Sequence, residues 1–371
     1  MKSKNFEVYL DCGLSKIRAG VFSTHNPKDK FYHESNFLND HSNIEKEIQK
    51  IISSLEEKTN EYLKDVTLMI DSPKMISIGV SISKKLDGSR LQKEDVQFLI
   101  QDAKQQILRS YFNQSIVHII IKNYTIDNVK YVFLPDSIDC NLITLDIFFI
   151  CLPKEIIEYY KFFFTGLDIS INQIFCSSYT KSINYNDNFP LIDNVSFIDI
   201  GFNKTSINCY VKNEIIFLDV LPIGGNHITK DISNILKVSL KEAENLKLSF
   251  VTDQKLLNEK NILPDLIQNI IFARTEEILE LSGKSIKLNL NLSQLDQCKL
   301  VLMGDGSKIL DNKFKEKISF SNDIDLLEET IEDICQSGFK LGRRSNKQEV
   351  VVVPKKHLKQ GFFEKLFHLF K

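Results

Sequence analysis

The sequence lacks paired cysteines, clustered histidines and long apolar runs. Its seven cysteines form no Cys-x-x-Cys pair and lie mostly within apolar stretches, which is typical of buried free thiols in a reducing cytosol. The seven histidines are equally scattered, so we predict no metal site of clustered protein ligands. No segment approaches the roughly 18 consecutive apolar residues of a membrane span, and Asp11 interrupts the N-terminal segment before a signal-peptide core develops. We therefore expect a cytoplasmic protein.

Acidic and basic residues are almost equal in number but unevenly distributed along the chain. The 371 residues include 47 Lys and Arg and 49 Asp and Glu, a formal net charge of −2, which argues against a nucleic-acid binder that works through overall charge. Residues 343–371 hold eight basic and two acidic residues, a net charge of +6, so the rest of the chain carries −8. With 43% hydrophobic residues, the chain has the composition of a globular protein and the length of two or more domains.

One short motif occurs twice. Apolar, strand-like segments end in Asp-Cys-Gly at 11–13 and in Asp-Ile-Gly at 199–201, and a second apolar segment follows each turn, which predicts two β-hairpins. A lysine follows each turn glycine by three residues, at Lys16 and at Lys204. Two such hairpins about half a chain apart indicate a duplicated domain.

Helices and strands alternate along the remainder of the chain. The predicted helices are 91–108, 154–166, 239–248, 263–281 and 325–335, and the further predicted strands are 117–121, 129–134, 142–152 and 298–303. We interpret 80–160 as a compact α+β insertion within the first half. The alternation over the whole chain indicates packed α/β layers.

An Asp-x-Gly turn has the chemistry to bind phosphate. Glycine lets the backbone approach the ligand, the N–H groups of the turn can point at phosphate oxygens, and the carboxylate can hold a hydrated Mg²⁺. A single such turn is usually an ordinary tight turn, because Asp and Gly are common turn residues. Two copies, together with a Gly-x-Gly-Ser strand end formed by Gly304, Gly306 and Ser307, favour a clamp with one hairpin from each half of the chain.

Six further segments are distinctive: DCGLSK at 11–16, IDIGFNKTS at 198–206, VLPIGGNHITKDI at 220–232, AENLK at 243–247, ARTEEILEL at 273–281 and VLMGDGSKIL at 301–310. They resemble successive landmarks of one family, FtsA, the actin-like cell-division proteins, and the resemblance covers nearly the whole chain. The most specific part is PIGGNHITKDI followed by AENLK. The resemblance implies an α/β, actin-like (duplicated ribonuclease H-like) ATPase fold with a C-terminal amphipathic helix.

The resemblance also implies subdomains named 1A, 1C, 2A and 2B, with 1C in place of the 1B subdomain of actin. Their expected bounds are 1–79, 161–190 and 329–342 for 1A, 80–160 for 1C, 191–228 and 297–328 for 2A, and 229–296 for 2B. Residues 343–360 are expected to form a basic flexible linker, and residues 361–371 a membrane-targeting amphipathic helix.

The same resemblance implies a site for ATP and Mg²⁺. The two phosphate loops correspond to Asp11, Gly13, Ser15 and Lys16, and to Asp199, Gly201, Lys204 and Thr205; the remaining nucleotide-binding candidates are Gly224, Gly225, Glu244, Lys247, Gly304, Gly306 and Ser307. Asp11 and Asp199 would hold Mg²⁺ through water. Glu244 and Lys247 correspond to positions near the ribose and adenine, although the residues alone would equally be an exposed i,i+3 ion pair. No catalytic residue is assigned.

The chain departs from the family pattern at two places. The second loop of the family is usually rich in glycine and threonine, whereas this chain has Phe202, Asn203, Lys204 and Ser206 there, and the other departure is Asp305. Phe202 puts a bulky side chain where backbone should approach phosphate, and Lys204 could supply a positive charge in return. Asp305 stands where a second glycine is expected, and its carboxylate would repel a phosphate chain unless Mg²⁺ or a lysine intervenes. We therefore expect ATP binding in weakened or altered form, with slow or absent hydrolysis.

The last eleven residues, GFFEKLFHLFK, have an amphipathic pattern. At about 100° per residue, the apolar side chains occupy one arc of about 160° and the polar side chains the opposite one. The residues expected at a bilayer interface are Phe362, Phe363, Leu366, Phe367, Leu369 and Phe370, with Lys365 and Lys371 facing anionic headgroups. The alternative is a helix that docks on the protein's own core. The segment before it argues against docking, because it has no helical apolar repeat and resembles a tether.

The resemblance implies partners as well. Proteins of the FtsA family attach the tubulin-like FtsZ to the inner face of the cytoplasmic membrane, with the FtsZ C-terminal peptide on subdomain 2B; they form actin-like filaments and contact other divisome proteins through 1C. Arg274 corresponds to a family arginine near the FtsZ surface, and Lys284 is a second candidate for an acidic peptide. A solvated helix face accounts for both residues equally well.

The expected function is therefore that of an ATP-binding, actin-like scaffold of the Z-ring, peripheral on the cytoplasmic side of the membrane at the septum. Three alternatives stay open. One is an adaptor like PilM of the pilus machinery, which shares the fold and the insertion but lacks a terminal amphipathic helix as a hallmark. The others are a nucleotide-free scaffold and a sugar or acetate kinase of the same superfold.

Overall fold

The computed structural model describes residues 5–35, 44–252, 264–291, 298–317, 323–343 and 349–350. The strands are β1 (Phe6–Cys12), β2 (Ile17–Ser23), β3 (Lys30–Glu34), β4 (Asp65–Ile70), β5 (Ile76–Lys85), β6 (Gln114–Ile126), β7 (Val129–Tyr131), β8 (Leu142–Pro153), β9 (Ser170–Cys176), β10 (Asn194–Ile200), β11 (Thr205–Val211), β12 (Glu214–Leu221), β13 (Lys299–Met303), β14 (Ile324–Leu326) and β15 (Glu349–Val350). The helices are α1 (Ile44–Thr59), α2 (Lys93–Ser110), α3 (Lys154–Gly166), α4 (Ser177–Asn186), α5 (Gly225–Leu236), α6 (Leu240–Thr252), α7 (Pro264–Asn289), α8 (Asn312–Lys317) and α9 (Ile331–Arg343).

Two five-stranded sheets repeat one topology. In the first, an antiparallel meander of β1, β2 and β3 is extended by the parallel strands β4 and β9, in the order β3-β2-β1-β4-β9. The second has the order β12-β11-β10-β13-β14 with the same strand directions. Even the register agrees, since Asp11 pairs with Met69 of β4 and Asp199 pairs with Met303 of β13. The two predicted hairpins and the predicted duplication are confirmed.

The insertion in the first half forms its own sheet and core. Strands β5, β6 and β8 pair in the order β6-β8-β5, β7 pairs with β6, and α2 packs on this sheet through apolar residues such as Leu99 and Ala103. Helix α3 lies next to this sheet in sequence, but it buries Ile157, Tyr160 and Phe164 in the core of the first sheet. The subdomain bounds themselves stay a prediction.

The predicted helix over 325–335 is wrong in its first part. Ile324 and Leu326 lie in β14, parallel to β13, where they pack against the second core, and α9 begins only at Ile331. The start is set by Thr330, whose hydroxyl accepts the backbone N–H of Asp333 at 3.1 Å while Asp333 accepts the backbone N–H of Thr330 at 3.0 Å. The predicted strand over 129–134 ends at Tyr131, and α7 extends beyond its predicted end.

The structure describes only residues 343, 349 and 350 of the predicted flexible linker, so the linker stays a prediction. Arg343 is the last residue of α9, and residues 349–350 form a two-residue strand that pairs antiparallel with Ile119 and Ile120 of β6. Strand pairing of this kind needs only backbone groups, so it can form without an apolar repeat in the sequence that would predict it. Residues 361–371, with all eight predicted membrane-facing residues, lie outside the described residues. Within the part of the chain that the structure describes, no helix is both long and apolar enough to cross a membrane.

The cysteines match their prediction. All seven are buried and none is in a disulfide. Burial raises the pKa of thiols such as Cys176, Cys335 and Cys151, the last to about 12, so these groups are protonated near neutral pH.

Candidate functional site

The two hairpin turns face each other across a cleft between the two halves of the chain. A deep cavity of about 90 Å³ is lined by residues of both turns, among them Asp11, Gly13, Asp199 and Gly201. We refer to it as the deep cavity.

A second cavity of about 730 Å³ opens beside the first. Its lining includes Glu244, Lys247 and Gly306, and we refer to it as the outer cavity. Four residues line both cavities and so form the boundary between them: Ser15, Gly201, Phe202 and Asp305. The volume of the outer cavity is in the range of small-molecule and cofactor sites, whereas the deep cavity is far smaller.

Glycines allow the strand ends and the second turn to pack closely. Gly304 has φ of +90°, and a Cβ there would lie 2.3 Å from Asp199 Oδ1. A Cβ on Gly224 would lie 2.5 Å from the carbonyl oxygen of Gly201. Such distances exclude any side chain, so the sequence at both positions is dictated by packing.

The first N–H groups of α5 are already occupied by the second turn. The Gly225 N–H donates to the Gly201 carbonyl at 2.9 Å, and the Asn226 N–H donates to the Phe202 carbonyl at 2.8 Å. These bonds satisfy donors that a helix start otherwise leaves open. The start of α5 therefore holds the second turn in place beside the outer cavity.

Asp11, the carboxylate of the first turn, is buried. It accepts a hydrogen bond from the Ser177 hydroxyl at 2.6 Å, and Arg18 Nη1 lies 3.6 Å from its Oδ2. Burial raises the pKa of Asp11, and Arg18 and Lys181 partly oppose this shift.

Asp199, the carboxylate of the second turn, belongs to a buried ion cluster. Lys181 Nζ lies 3.0 Å from Asp199 and 3.2 Å from Glu329, and Glu329 also accepts the Gly304 N–H at 2.8 Å and the Tyr185 hydroxyl at 3.0 Å. Burial alone would lower the pKa of Lys181, but Asp199 and Glu329 outweigh it and hold the pKa well above its usual range. Lys181 is therefore a permanent cation at the bottom of the cleft. No sequence motif marks Lys181 or Glu329, and we did not predict either.

Asp305 is neutralised by a residue that the sequence interpretation missed. Arg18 Nη2 donates to both carboxylate oxygens of Asp305, at 2.7 and 2.6 Å, and Lys308 Nζ lies 3.1 Å away. Although burial opposes the shift, Arg18 holds the pKa of Asp305 well below its usual range. The only signal in the sequence was a basic residue inside the otherwise apolar strand β2. Repulsion between Asp305 and a ligand phosphate is thus reduced by Arg18 and Lys308.

The two lysines of the turns are also paired. Lys204 is buried, with Nζ 2.8 Å from Asp71 Oδ2, and it also donates to the Ser206 hydroxyl. Lys16 is about one third exposed and lies 2.7 Å from Glu34. The charge that we expected Lys204 to offer to a phosphate is therefore engaged with Asp71 in this structure.

Glu244 and Lys247 are not an exposed ion pair. They are only 8% and 5% exposed, and Lys247 Nζ donates to Glu244 at 2.7 Å, to the Thr229 hydroxyl at 2.8 Å and to the Gly225 carbonyl at 3.2 Å. Burial lowers the pKa of Lys247, and Glu244 opposes that shift. The pair joins α5 to α6 along the outer cavity, so the alternative reading from sequence alone is wrong.

The cleft gathers most of the predicted nucleotide-binding residues. The deep cavity is lined by Asp11, Gly13, Ser15, Asp199, Gly201, Lys204 and Gly304, and the outer cavity by Ser15, Lys16, Gly201, Gly225, Glu244, Lys247 and Gly306. Thr205, Gly224 and Ser307 line neither of the two cavities; Thr205 and Ser307 instead donate to the carbonyl groups of Ile223 and Gly304. Within the described ranges, no group of three or more His, Cys, Asp or Glu could hold a metal ion.

The two predicted partner-binding residues both lie on α7. Arg274 forms a two-pronged ion pair with Asp231 of α5, through Nε at 2.6 Å and Nη2 at 2.9 Å, and contacts Glu277 on its own helix. Lys284 is exposed farther along the same helix. The structure thus puts both cations on one element of the second half.

Comparison with known sequences agrees with these features. A sequence model described as "FtsA: Cell division protein FtsA" matches residues 196–344. Curated proteins named cell division protein FtsA are similar over longer spans. That of Agrobacterium fabrum (strain C58 / ATCC 33970) is 21% identical over 301 residues, covering 74% of this chain and 66% of the relative. That of Buchnera aphidicola subsp. Acyrthosiphon pisum (strain APS) is 23% identical over 361 residues, covering 85% of this chain and 84% of the relative.

Comparison with solved structures identifies the fold. The PilM-PilN type IV pilus biogenesis complex matches with a TM-score of 0.55 at 12% identity, over 86% of this chain and 88% of that chain. The ethanolamine utilization protein EutJ from Carboxydothermus hydrogenoformans matches with a TM-score of 0.50 at 11% identity, over 90% and 89% of the two chains. Structural matches at such low sequence identity show a shared fold and do not show a shared activity. The structural matches and the duplicated sheets show the actin-like ATPase fold. The sequence matches show that the chain is a divergent FtsA-like protein.

Proposed function

We propose that this protein is an ATP-binding scaffold of cell division that tethers FtsZ filaments to the cytoplasmic membrane. The observation that carries the nucleotide part is the outer cavity of about 730 Å³ between the two duplicated halves, bounded by Glu244, Lys247 and Gly306. Its size suits a nucleoside with phosphates. It also adjoins both predicted phosphate turns, since Ser15 and Gly201 line the outer cavity as well as the deep cavity.

The residues around the deep cavity fit a hydrated Mg²⁺ better than a directly ligated one. Asp11 and Asp199 line this polar space, one from each turn. Their carboxylates already have Ser177 and Lys181 as partners. When bound, Mg²⁺ would offset the charge of the nucleotide phosphates. We infer slow or absent hydrolysis, because these carboxylates are engaged by the protein's own groups and are poorly available to activate a water molecule.

A substitution at Gly225 tests nucleotide binding. A Cβ there meets no atom closer than 3.6 Å, so the backbone has room for the first carbon of a side chain, and the side chain of Gly225→Val should narrow the outer cavity. Thermal melting of this variant is compared with that of the wild-type protein to check its folding. We expect the wild-type protein to bind ATP with Mg²⁺ in a calorimetric titration, and Gly225→Val to weaken that binding at least about tenfold.

Gly79→Val is the matched control, because a Cβ at this exposed strand position meets nothing within 4 Å. It should leave the titration unchanged. If the wild-type protein gives no heat at millimolar ATP, the nucleotide part of the proposal is wrong and the protein is a nucleotide-free scaffold. If Gly225→Val binds as the wild type does, the ligand lies elsewhere.

We further propose that the FtsZ C-terminal peptide docks on α7 near Arg274 and Lys284. Support comes from the exposed cation at Lys284 and from the partly exposed guanidinium of Arg274, which Asp231 holds in one orientation. A pre-oriented guanidinium suits recognition of a carboxylate. Self-association into filaments and contacts of other divisome proteins with the insertion are further parts of the proposal.

Charge reversal tests this surface. Arg274→Glu should weaken binding of a labelled FtsZ C-terminal peptide at least about tenfold in a polarisation assay, since an attraction is replaced by a repulsion. Lys284→Glu should weaken it less. Lys74→Glu, in the first half, is the control and should bind as the wild type does. Because Arg274→Glu also loses the ion pair with Asp231, its thermal melting must be compared. Wild-type affinity in a folded Arg274→Glu protein would remove Arg274 from the proposed surface.

A further inference from the structure

The duplication places two equivalent carboxylates at the cleft. Asp71 follows by two positions the β4 residue that pairs with Asp11, and Asp305 follows by two positions the β13 residue that pairs with Asp199. Both carboxylates line the deep cavity. They come from opposite halves of the chain and stand at matching ends of parallel strands.

Each of these carboxylates binds a cation from the other half. Asp71 of the first half pairs with Lys204 of the second at 2.8 Å, and Asp305 of the second half pairs with Arg18 of the first at 2.6 Å. Lys204 and Arg18 are themselves buried, at 8% and 4% exposure. The two halves are thus joined across the cleft by two reciprocal ion pairs, in which the carboxylates are equivalent by the duplication and the cations are not.

Asp305 has a special position among these four groups. It lines both cavities, as Phe202 does, so it stands at the boundary between them. Its two oxygens accept the hydrogen bonds that Arg18 Nη2 donates. A phosphate group could accept the same hydrogen bonds if Asp305 did not. A ligand whose anionic end reaches this boundary meets the carboxylate of Asp305 and competes with it for Arg18.

We propose that Asp305 and Asp71 are resident anions that occupy the phosphate-binding cations Arg18 and Lys204, so that the site favours an adenine nucleoside or diphosphate over a triphosphate. This inference rests on the proposed nucleotide site. It assigns Arg18 to phosphate binding and makes Asp305 the residue that sets selectivity for phosphate-chain length. The reason is charge: each added phosphate brings negative charge toward carboxylates that already neutralise the available cations.

The test compares adenosine, ADP and ATP on the wild-type protein and on Asp305→Asn by calorimetry with Mg²⁺. Asparagine keeps the size of the side chain and removes its charge. We expect the wild-type protein to bind ADP more tightly than ATP. The ratio of ATP affinity to adenosine affinity should rise about tenfold in Asp305→Asn, the size expected from one unit charge several ångströms from a phosphate. Arg18→Lys should lower the same ratio, since lysine lacks the planar guanidinium that can bind two phosphate oxygens at once.

Asp325→Asn is the matched control. Asp325 pairs with Lys299 and is in the lining of neither cavity, so its loss should leave all three titrations unchanged. If adenosine binds but the ratio of ATP affinity to adenosine affinity is unchanged or lower in a folded Asp305→Asn protein, the inference is wrong while the nucleotide site stands. If no variant binds any of the three ligands, the nucleotide site itself is wrong. ATP binding gained only in Asp305→Asn would support the inference directly.

Discussion

Deletion of residues 361–371 is expected to abolish flotation of the protein with anionic lipid vesicles. Four phenylalanines and two leucines of this segment fall on one helical arc, and burial of such an apolar face in the headgroup region is the main source of interfacial binding. The rest of the basic tail adds attraction to anionic lipid, but the body of the chain carries −8 and is repelled. Without the apolar face, the residual attraction should be too weak to keep the protein with the vesicles.

The experiment compares full-length and truncated protein on vesicles with and without anionic lipid. Full-length protein should float with the anionic vesicles and less with the neutral ones, and added salt should reduce only the electrostatic part. Leu191→Glu is the matched control, because it removes the side chain of a leucine that is 96% exposed on the body. It should float as the wild type does. Unchanged flotation of the truncated protein would refute the membrane role and leave the adaptor alternative, which needs no such helix.

Lys181→Met is expected to lower the free energy of unfolding by about 3–5 kcal/mol. Lys181 is the buried cation between Asp199 and Glu329, at 3.0 and 3.2 Å, and its removal leaves two carboxylates uncompensated at the bottom of the cleft. Loss of one partner from a buried ion pair typically costs about this much, because the remaining charge stays desolvated. Urea denaturation followed by circular dichroism measures the difference.

Lys74→Met serves as the control for this loss. Lys74 and Glu155 form an ion pair at 3.4 Å whose side chains are 74% and 68% exposed, so its removal should cost no more than about 1 kcal/mol. The double variant Lys181→Met, Glu329→Gln should recover part of the stability, since only one uncompensated carboxylate remains. A loss below about 1 kcal/mol for Lys181→Met would mean that Lys181 is not what neutralises Asp199 and Glu329.

Local patterns account for what could be predicted. The turns after Asp11 and Asp199 follow from alternating apolar residues and an Asp-x-Gly sequence, both of which act within a few positions of the chain. The helix over 91–108 follows in the same way from a 3.6-residue repeat, which the structure gives as Lys93–Ser110. The helix predicted over 325–335 was wrong in its first part because the structure there depends on a neighbouring strand and not on the local sequence. A three-residue strand is too short to show alternation, and its identity depends on the neighbouring β13.

The contacts across the cleft could not be predicted in this way. Arg18 and Asp305 are 287 positions apart, and Lys181 and Glu329 are 148 apart. Nothing in either local sequence states which cation meets which carboxylate. Asp305 taken alone predicted repulsion of phosphate, and only its partners showed that the carboxylate is already neutralised.

The sequence by itself determined the two hairpins, the duplication, the amphipathic pattern of 361–371 and the resemblance to FtsA, because each depends on residue types at short, regular spacing. Only the tertiary structure decided that Glu244 and Lys247 are buried, that Lys204 is engaged by Asp71, and that Arg18 pairs with Asp305 across the cleft. These outcomes depend on which groups the folded halves bring within a few ångströms of each other. At that distance, and out of water, charge interactions become strong enough to decide the state of a site.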